Sequence, residues 1–326
     1  MNTLLLKNKA MTAIWLFCAL VLSQGYPVYF PRETTPMANN SVEKDSTEKR
    51  ICISRDVPVG DYFDFMDSLV SRHAPEIDYP LTEHLLVRTN PWIMDTLANT
   101  DYYRQIARDS FVYDQKKMIV LRAGDSLMIP DSTTVTRLLN TFENTRIDIN
   151  IPEYKLRIYR DSVLLYAFPV RVGQNTKRYL AMGNRITNLQ TVSGKGTIVR
   201  HARDPVFYNP VNGKRFYLTR RDDGKTTVMP RIPWIETEIN GVRNGQMIHP
   251  TTNPETLEKA YSNGCIGARE ADMWYIYYHA PIGTRIVIRY DLNIVDENGE
   301  RITLKDIYRK GQDPETGKEK TRQTQK

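Results

Sequence analysis

The feature that most constrains this chain is a change in hydrophobic period near Asn144. Before it, Val135, Leu138, Leu139 and Phe142 recur at i, i+3, i+4 and i+7, and Phe65, Met66 and Leu69 share one face of an earlier helical stretch. After it, Ile147, Ile149 and Ile151 alternate with polar residues, as do Tyr154, Leu156 and Ile158, and a turn at residues 160–162 leads into a third extended run over 163–172. An apolar stripe of period 3.6 packs as a helix and one of period 2 as a strand, so the two patterns belong to different architectures. The reading is a small helix-rich α+β domain over residues 51–143, followed by a mainly β domain with short helices over 144–292. Ser193-Gly-Lys-Gly196, Asn209-Pro210, Asn212-Gly213 and Asp223-Gly224 punctuate the second domain, and residues 284–290 supply its last alternating strand. Gly124-Asp125 is read as the turn of a hairpin.

The ends of the chain read differently. Lys7 and Lys9 precede a ten-residue apolar run over 13–22, with small Ser23 and Gly25 after it, which is the pattern of a secretory signal over residues 1–25. The run is too short to span a bilayer unaided, so contact with the membrane is expected only through this segment if it stays uncleaved. Bulky Phe17 argues against lipidation at Cys18. The expected location is the periplasm or cell envelope, after export across the inner membrane. Residues 26–50 lack apolar periodicity and read as a flexible linker, and 293–326 as an extension ending in a disordered basic tail. The net charge of +7 is concentrated at the ends: the signal carries two of it and residues 309–326 three. What remains is no electrostatic footprint for nucleic acid. With the signal removed, Cys52 and Cys265 are an even pair that in principle allows one disulfide, but the residues around Cys265 argue otherwise.

Chemistry concentrates between residues 247 and 267. Asn253-Pro254 is a helix-start pair, and Leu257, Ala260 and Tyr261 fall at helical spacing, so a short helix is expected between His249 and Ser262. Such a reversal brings a strand-end histidine back toward Cys265. A thiolate that attacks an acyl carbon needs an imidazole to take its proton, and His249 fits that role. Gly264 permits dihedrals that aim successive amides at one point, as an oxyanion hole requires. The remaining histidines have no such neighbour in sequence, and no His/Cys/Asp/Glu set has metal-ligand spacing.

The stretch Ser262-Asn263-Gly264-Cys265-Ile266 with His249 upstream resembles the active-site signature of the YkuD-type L,D-transpeptidase domain. The strands over 147–172, the segment Thr191-Val-Ser-Gly-Lys-Gly-Thr-Ile198 and the strand over 281–288 are similar to its opening, its Thr-Pro-x-Gly segment and its final strand. The resemblance implies a β-sandwich with short helices and acyl transfer on peptidoglycan stem peptides without cofactor or metal. By position it implies Cys265 as nucleophile, His249 as base oriented by the Pro250 carbonyl, Gly264 and Cys265 amides as oxyanion donors, and Ser262 and Asn263 in the supporting loop. Residues 121–130 also resemble the closing turn and strand of a LysM peptidoglycan-binding module.

Three positions depart from the family pattern: Pro250 where glycine is usual, Asn263 where histidine is common, and Gly267 where arginine or asparagine usually follows Cys-Ile. Arg269 is the candidate to replace the missing cation, and Trp234 is a candidate to line the substrate groove. Three functions fit: L,D-transpeptidase, L,D-carboxypeptidase with water as acceptor, and a wall-binding scaffold whose catalytic pair is idle.

Overall fold

The computed structural model describes residues 49–296 and 298–311. The expected signal, nearly all of the linker and the tail beyond residue 311 lie outside them.

The helix-rich region contains α1 (Tyr62–His73), α2 (Glu83–Thr89), α3 (Trp92–Ala98), α4 (Tyr102–Ile106) and α5 (Ser132–Glu143). Their starts follow local chemistry. Thr82, Asp101 and Asp131 each place a side-chain oxygen on a first-turn amide of α2, α4 and α5. Met66 and Leu69 of the first stripe are buried in α1, and Val135 and Leu138 of the second in α5, but Leu139, read into the second stripe, is 44% exposed because the helix presents that side to solvent. The turn at Gly124 forms, at φ +92°, but the expected hairpin does not. Ile119–Leu121 pairs with Val57–Pro58, and Ser126–Met128 pairs with Arg50–Cys52. The two arms find partners 60 to 80 residues earlier; a turn signal says nothing about which strands its arms will join.

From Thr145 the chain builds one eight-stranded sheet, and the mainly β expectation is borne out. Its strands are β1 (Thr145–Asn150), β2 (Lys155–Arg160), β3 (Val163–Pro169), β4 (Gly194–Ala202), β5 (Trp234–Ile239), β6 (Met247–Pro250), β7 (Ile266–Ala268) and β8 (Arg285–Arg289). The spatial order is β7-β6-β5-β4-β8-β1-β2-β3. Pairs β6–β7 and β8–β1 are parallel and the others antiparallel. Alternation sets the buried face: Ile147 and Ile149, Leu156 and Ile158, Ile235 and Ile239, Ile286 and Ile288 all point inward. The sheet curls until its edges meet. Arg171, two residues past β3, exchanges backbone hydrogen bonds with Gly267 in β7 (2.8 and 3.0 Å), which closes the two edges on each other.

The aromatic run at 274–278 lies in α6 (Glu270–His279), which directly follows β7. It touches β6 of the sheet. It is buried on every side, however, because α2 and α3 cover its other face. Phe63 of α1 meets Trp274 and Tyr277 at ring-centroid distances of 6.0 Å, and His84 of α2 stacks on His201 of β4 at 5.4 Å. The first turn of α6 is anchored from both regions: buried Glu270 accepts from the Tyr102 amide (3.1 Å), from Gln115 Nε2 (2.8 Å) and from Arg221. One hydrophobic core therefore runs through the helix-rich region and the sheet.

Candidate active site

β6 and β7 carry the candidate residues. Their parallel register sets Ile248 opposite Ile266 and His249 opposite Gly267. Cys265 immediately precedes β7, so it faces Met247, and by alternation its side chain lies on the same face as that of His249. Such a diagonal separates Cα atoms by about 7–8 Å. The thiol and the imidazole are not directly hydrogen-bonded to each other. Cys52 and Cys265 are free thiols, so the disulfide compatible with their number does not form.

The connection from His249 back to Cys265 is not the expected helix. Only a single 3-10 turn, Pro254–Thr256, forms after Asn253. Glu258 then takes φ +57°, its amide donates to Val170 O (3.1 Å), and Lys259 O accepts from the Val172 amide (3.1 Å). These backbone groups are claimed by the segment that closes the sheet, so the helical pattern cannot continue, and Ala260–Ser262 runs as a strand beside Val172–Gly173.

A tight turn then presents the cysteine. Ser262 Oγ accepts from the Gly264 amide (3.2 Å) and donates to Cys265 O (2.5 Å). Gly264 has φ +109°, a conformation that demands glycine, and a Cβ there would also meet Gln246 Nε2 at 2.6 Å and oblige that side chain to shift. With its amide engaged by Ser262, Gly264 contributes to the turn through its backbone shape. Its carbonyl accepts from Thr191 Oγ1 (2.9 Å). Holding that carbonyl fixes the Gly264–Cys265 peptide plane and turns the Cys265 N–H to the opposite side. Thr191 is held in turn: its hydroxyl accepts from the Gly173 amide (2.9 Å), and its own amide donates to Tyr308 Oη (3.0 Å), which donates to Gly173 O (2.8 Å). Thr191 opens the segment that resembles the family's Thr-Pro-x-Gly, whereas Tyr308 carries no catalytic signal in sequence and lies in the extension beyond the last sheet strand.

His249 is 8% exposed. Its Nδ1 lies 2.9 Å from Pro250 O, and since a carbonyl only accepts, Nδ1 carries the proton and Nε2 the lone pair. The proline that replaces the usual glycine keeps the one atom this contact needs. Trp234 of β5 stacks on the imidazole with 4.2 Å between centroids and 16° between planes, and Phe207 packs on Trp234. Burial, then the positive charge of Arg171, hold the His249 pKa down to about 3, partly offset by the Pro250 carbonyl. Burial pushes the Cys265 thiol up, while the Met247 amide and Arg171 pull it down. At neutral pH the resting pair is thiol and neutral imidazole.

Asn263 sits half-buried in the turn. Arg269 caps the start of α6, where its charge acts on Asp272. The side chain of Arg171 folds over the Cα of Gly267: a Cβ at 267 would stand 2.5 Å from Arg171 Nε and 2.8 Å from its Cγ. Only the backbone bridge between residues 171 and 267 brings this arginine here, and the missing side chain at 267 is the sole sequence hint of it.

Fold and site together define a β-rich domain that seats a thiol and an oriented neutral imidazole at the closure of its sheet. Residues 144–288 match the family model of the YkuD-type L,D-transpeptidase catalytic domain. It is 27% identical over 239 residues to the probable L,D-transpeptidase ErfK/SrfK of Salmonella typhimurium, covering 70% of this chain and 72% of that protein. It is 26% identical over 170 residues to the protein of the same description from Escherichia coli, of which it spans about half (50%). Among solved structures, an L,D-transpeptidase from Xylanimonas cellulosilytica aligns at 15% identity and TM-score 0.33, covering 64% of this chain and 94% of that one.

Proposed function

We propose that this protein is an exported L,D-transpeptidase that transfers acyl groups between peptidoglycan stem peptides through a thioester on Cys265. The observation that carries the reading is the oriented imidazole: His249, neutral and with Nε2 as its basic atom, shares a sheet face with Cys265 on the neighbouring strand. In the first half-reaction His249 Nε2 takes the thiol proton as sulfur attacks the carbonyl carbon of the L-centre. The Cys265 amide donates to the developing oxyanion. Collapse breaks the C–N bond, and the imidazolium returns its proton to the departing D-alanine amine. In the second half, an acceptor stem's amine attacks the thioester and gives its proton to His249, and the C–S bond breaks to restore the thiol. Trp234 excludes water from the imidazole and borders the groove in which the stems lie. Export to the periplasm or cell envelope fits both the substrate and the charged, short apolar N-terminus.

The test is intact-mass analysis of wild type and Cys265→Ala after incubation with a carbapenem and, separately, with a disaccharide tetrapeptide. The expected result is an adduct on wild type alone, with release of D-alanine and formation of a dimeric muropeptide. A trimmed monomer instead of a dimer identifies an L,D-carboxypeptidase. An unmodified wild type with intact muropeptide refutes the catalytic reading in favour of a wall-binding scaffold.

A further inference from the structure

We propose that Arg171 is the counter-ion of the Cys265 thiolate, a positioning residue that acts through the nucleophile. This rests on the reading of Cys265 as the nucleophile. Three observations carry it.

First, the sheet closure delivers the side chain to the site: Arg171 is fixed by two backbone hydrogen bonds to Gly267, two residues from Cys265 on the same strand face. Second, position 267 has no side chain, and the space that a Cβ would need is filled by the arginine stem, with Nε at 2.5 Å and Cγ at 2.8 Å from it. Gly267 and Arg171 are thus one unit, in which the cation comes from across the sheet edge. Third, the guanidinium is incompletely satisfied. Nη1 donates to Thr256 Oγ1 (3.1 Å), Nε is buried without an acceptor, and no carboxylate among the described residues forms an ion pair with it.

A largely buried cation without an anion is costly, and arginine does not escape by losing its proton. The acidic groups facing it are Cys265 first, then Tyr261 of the neighbouring strand and Asp222 of the loop at 221–225. His249 faces the same charge from β6, which disfavours its imidazolium. Of these, Cys265 is the group whose negative charge arises in the reaction. When the thiol proton passes to His249 Nε2, the sulfur gains its charge beside the guanidinium and the Met247 amide, and Arg171 gains the partner it lacks at rest. The same charge repels the imidazolium and so favours onward passage of the proton to the leaving amine.

The experiment measures thiol acidity without substrate. Iodoacetamide alkylation of the full chain is followed from pH 5 to 10, with Cys265 quantified by peptide mass spectrometry separately from the other cysteines. The variants are wild type, Arg171→Met, Arg171→Lys and Gly267→Ala. Removing a neighbouring opposite charge is expected to move the alkylation curve of Arg171→Met up by about one pH unit or more, slowing reaction at pH 7 roughly tenfold. Arg171→Lys, which keeps the charge, stays near wild type. Gly267→Ala pushes the arginine stem aside and reproduces the Met shift. Superimposed curves for wild type and folded Arg171→Met overturn the proposal; if that variant does not fold, an unshifted Gly267→Ala curve does so. The two readings fail separately. A shifted curve in a protein that leaves muropeptides intact refutes the transpeptidase and keeps the counter-ion, and turnover with unshifted curves does the reverse.

Discussion

Replacing Tyr308 by phenylalanine tests how the C-terminal segment supports a turn more than forty residues away. The Tyr308 hydroxyl, on a residue only 5% exposed, bonds both the Thr191 amide (3.0 Å) and Gly173 O (2.8 Å). Phenylalanine keeps the ring, which stacks on Tyr290 with 5.2 Å between centroids, and leaves a buried donor and a buried acceptor unpaired. Each such group costs about 1–3 kcal/mol, so the expected loss in unfolding free energy is roughly 2–6 kcal/mol by urea titration. Function changes along the same path. With Thr191 loosened, its hydroxyl no longer fixes Gly264 O, and the Cys265 amide swings relative to the developing oxyanion. A misdirected donor loses less than a deleted one, so kcat is expected to fall about tenfold with KM nearly unchanged. Tyr179→Phe, at an exposed hydroxyl bonded to Asn184, is the control and leaves both quantities at wild-type values. A Tyr308→Phe protein within about 0.5 kcal/mol of wild type and with unchanged kcat refutes the reasoning, since surface substitutions alone produce shifts of that size.

Two more predictions concern protons. Because His249 titrates at about 3, kcat/KM is expected to show no acidic limb between pH 5 and 7; Trp234→Ala, which opens the stacked face to water, brings such a limb into that range. A wild-type limb near 6.5 contradicts the buried imidazole. Burial raises the Asp272 pKa to about 7, and its Oδ2 lacks a partner, so the native state holds a proton that the unfolded state releases. Stability from this group is therefore full below the unfolded carboxylate value and is lost as pH rises through 7. Asp272→Asn is expected to stabilise the protein by up to about 4 kcal/mol at pH 8 and to do little near pH 4, read as the difference between two denaturant titrations. Equal effects at both pH values sink the argument.

Much of this architecture is written locally. The change of period at Asn144 marks where helices give way to the sheet, and the alternating isoleucines fix which face of β1, β2 and β8 is buried, because side-chain direction along a strand depends on the chain itself. Ser262, Gly264 and Cys265 are legible together for the same reason: a turn of four residues is set by its own dihedrals and hydroxyl. His249 was identifiable by type and spacing, and the proline after it retains the carbonyl that orients the ring.

Other features depend on residues far apart in the chain. The segment after Asn253 has helical spacing, yet the backbone at 170–172 captures Glu258 and Lys259 and draws the chain into a strand. Gly124-Asp125 marks a turn whose arms pair with strands from the start of the domain. Arg171 and Tyr308 enter the site only because the sheet curls until its edges meet and the C-terminal segment returns to Gly173. Sequence alone determined the period of each element, the turn at the cysteine and the two residue types the chemistry needs, all of which follow from contacts within a few residues. The tertiary structure alone decided which cation stands beside Cys265 and what holds its loop, because those contacts are made by sheet closure, and closure joins residues that no local rule relates.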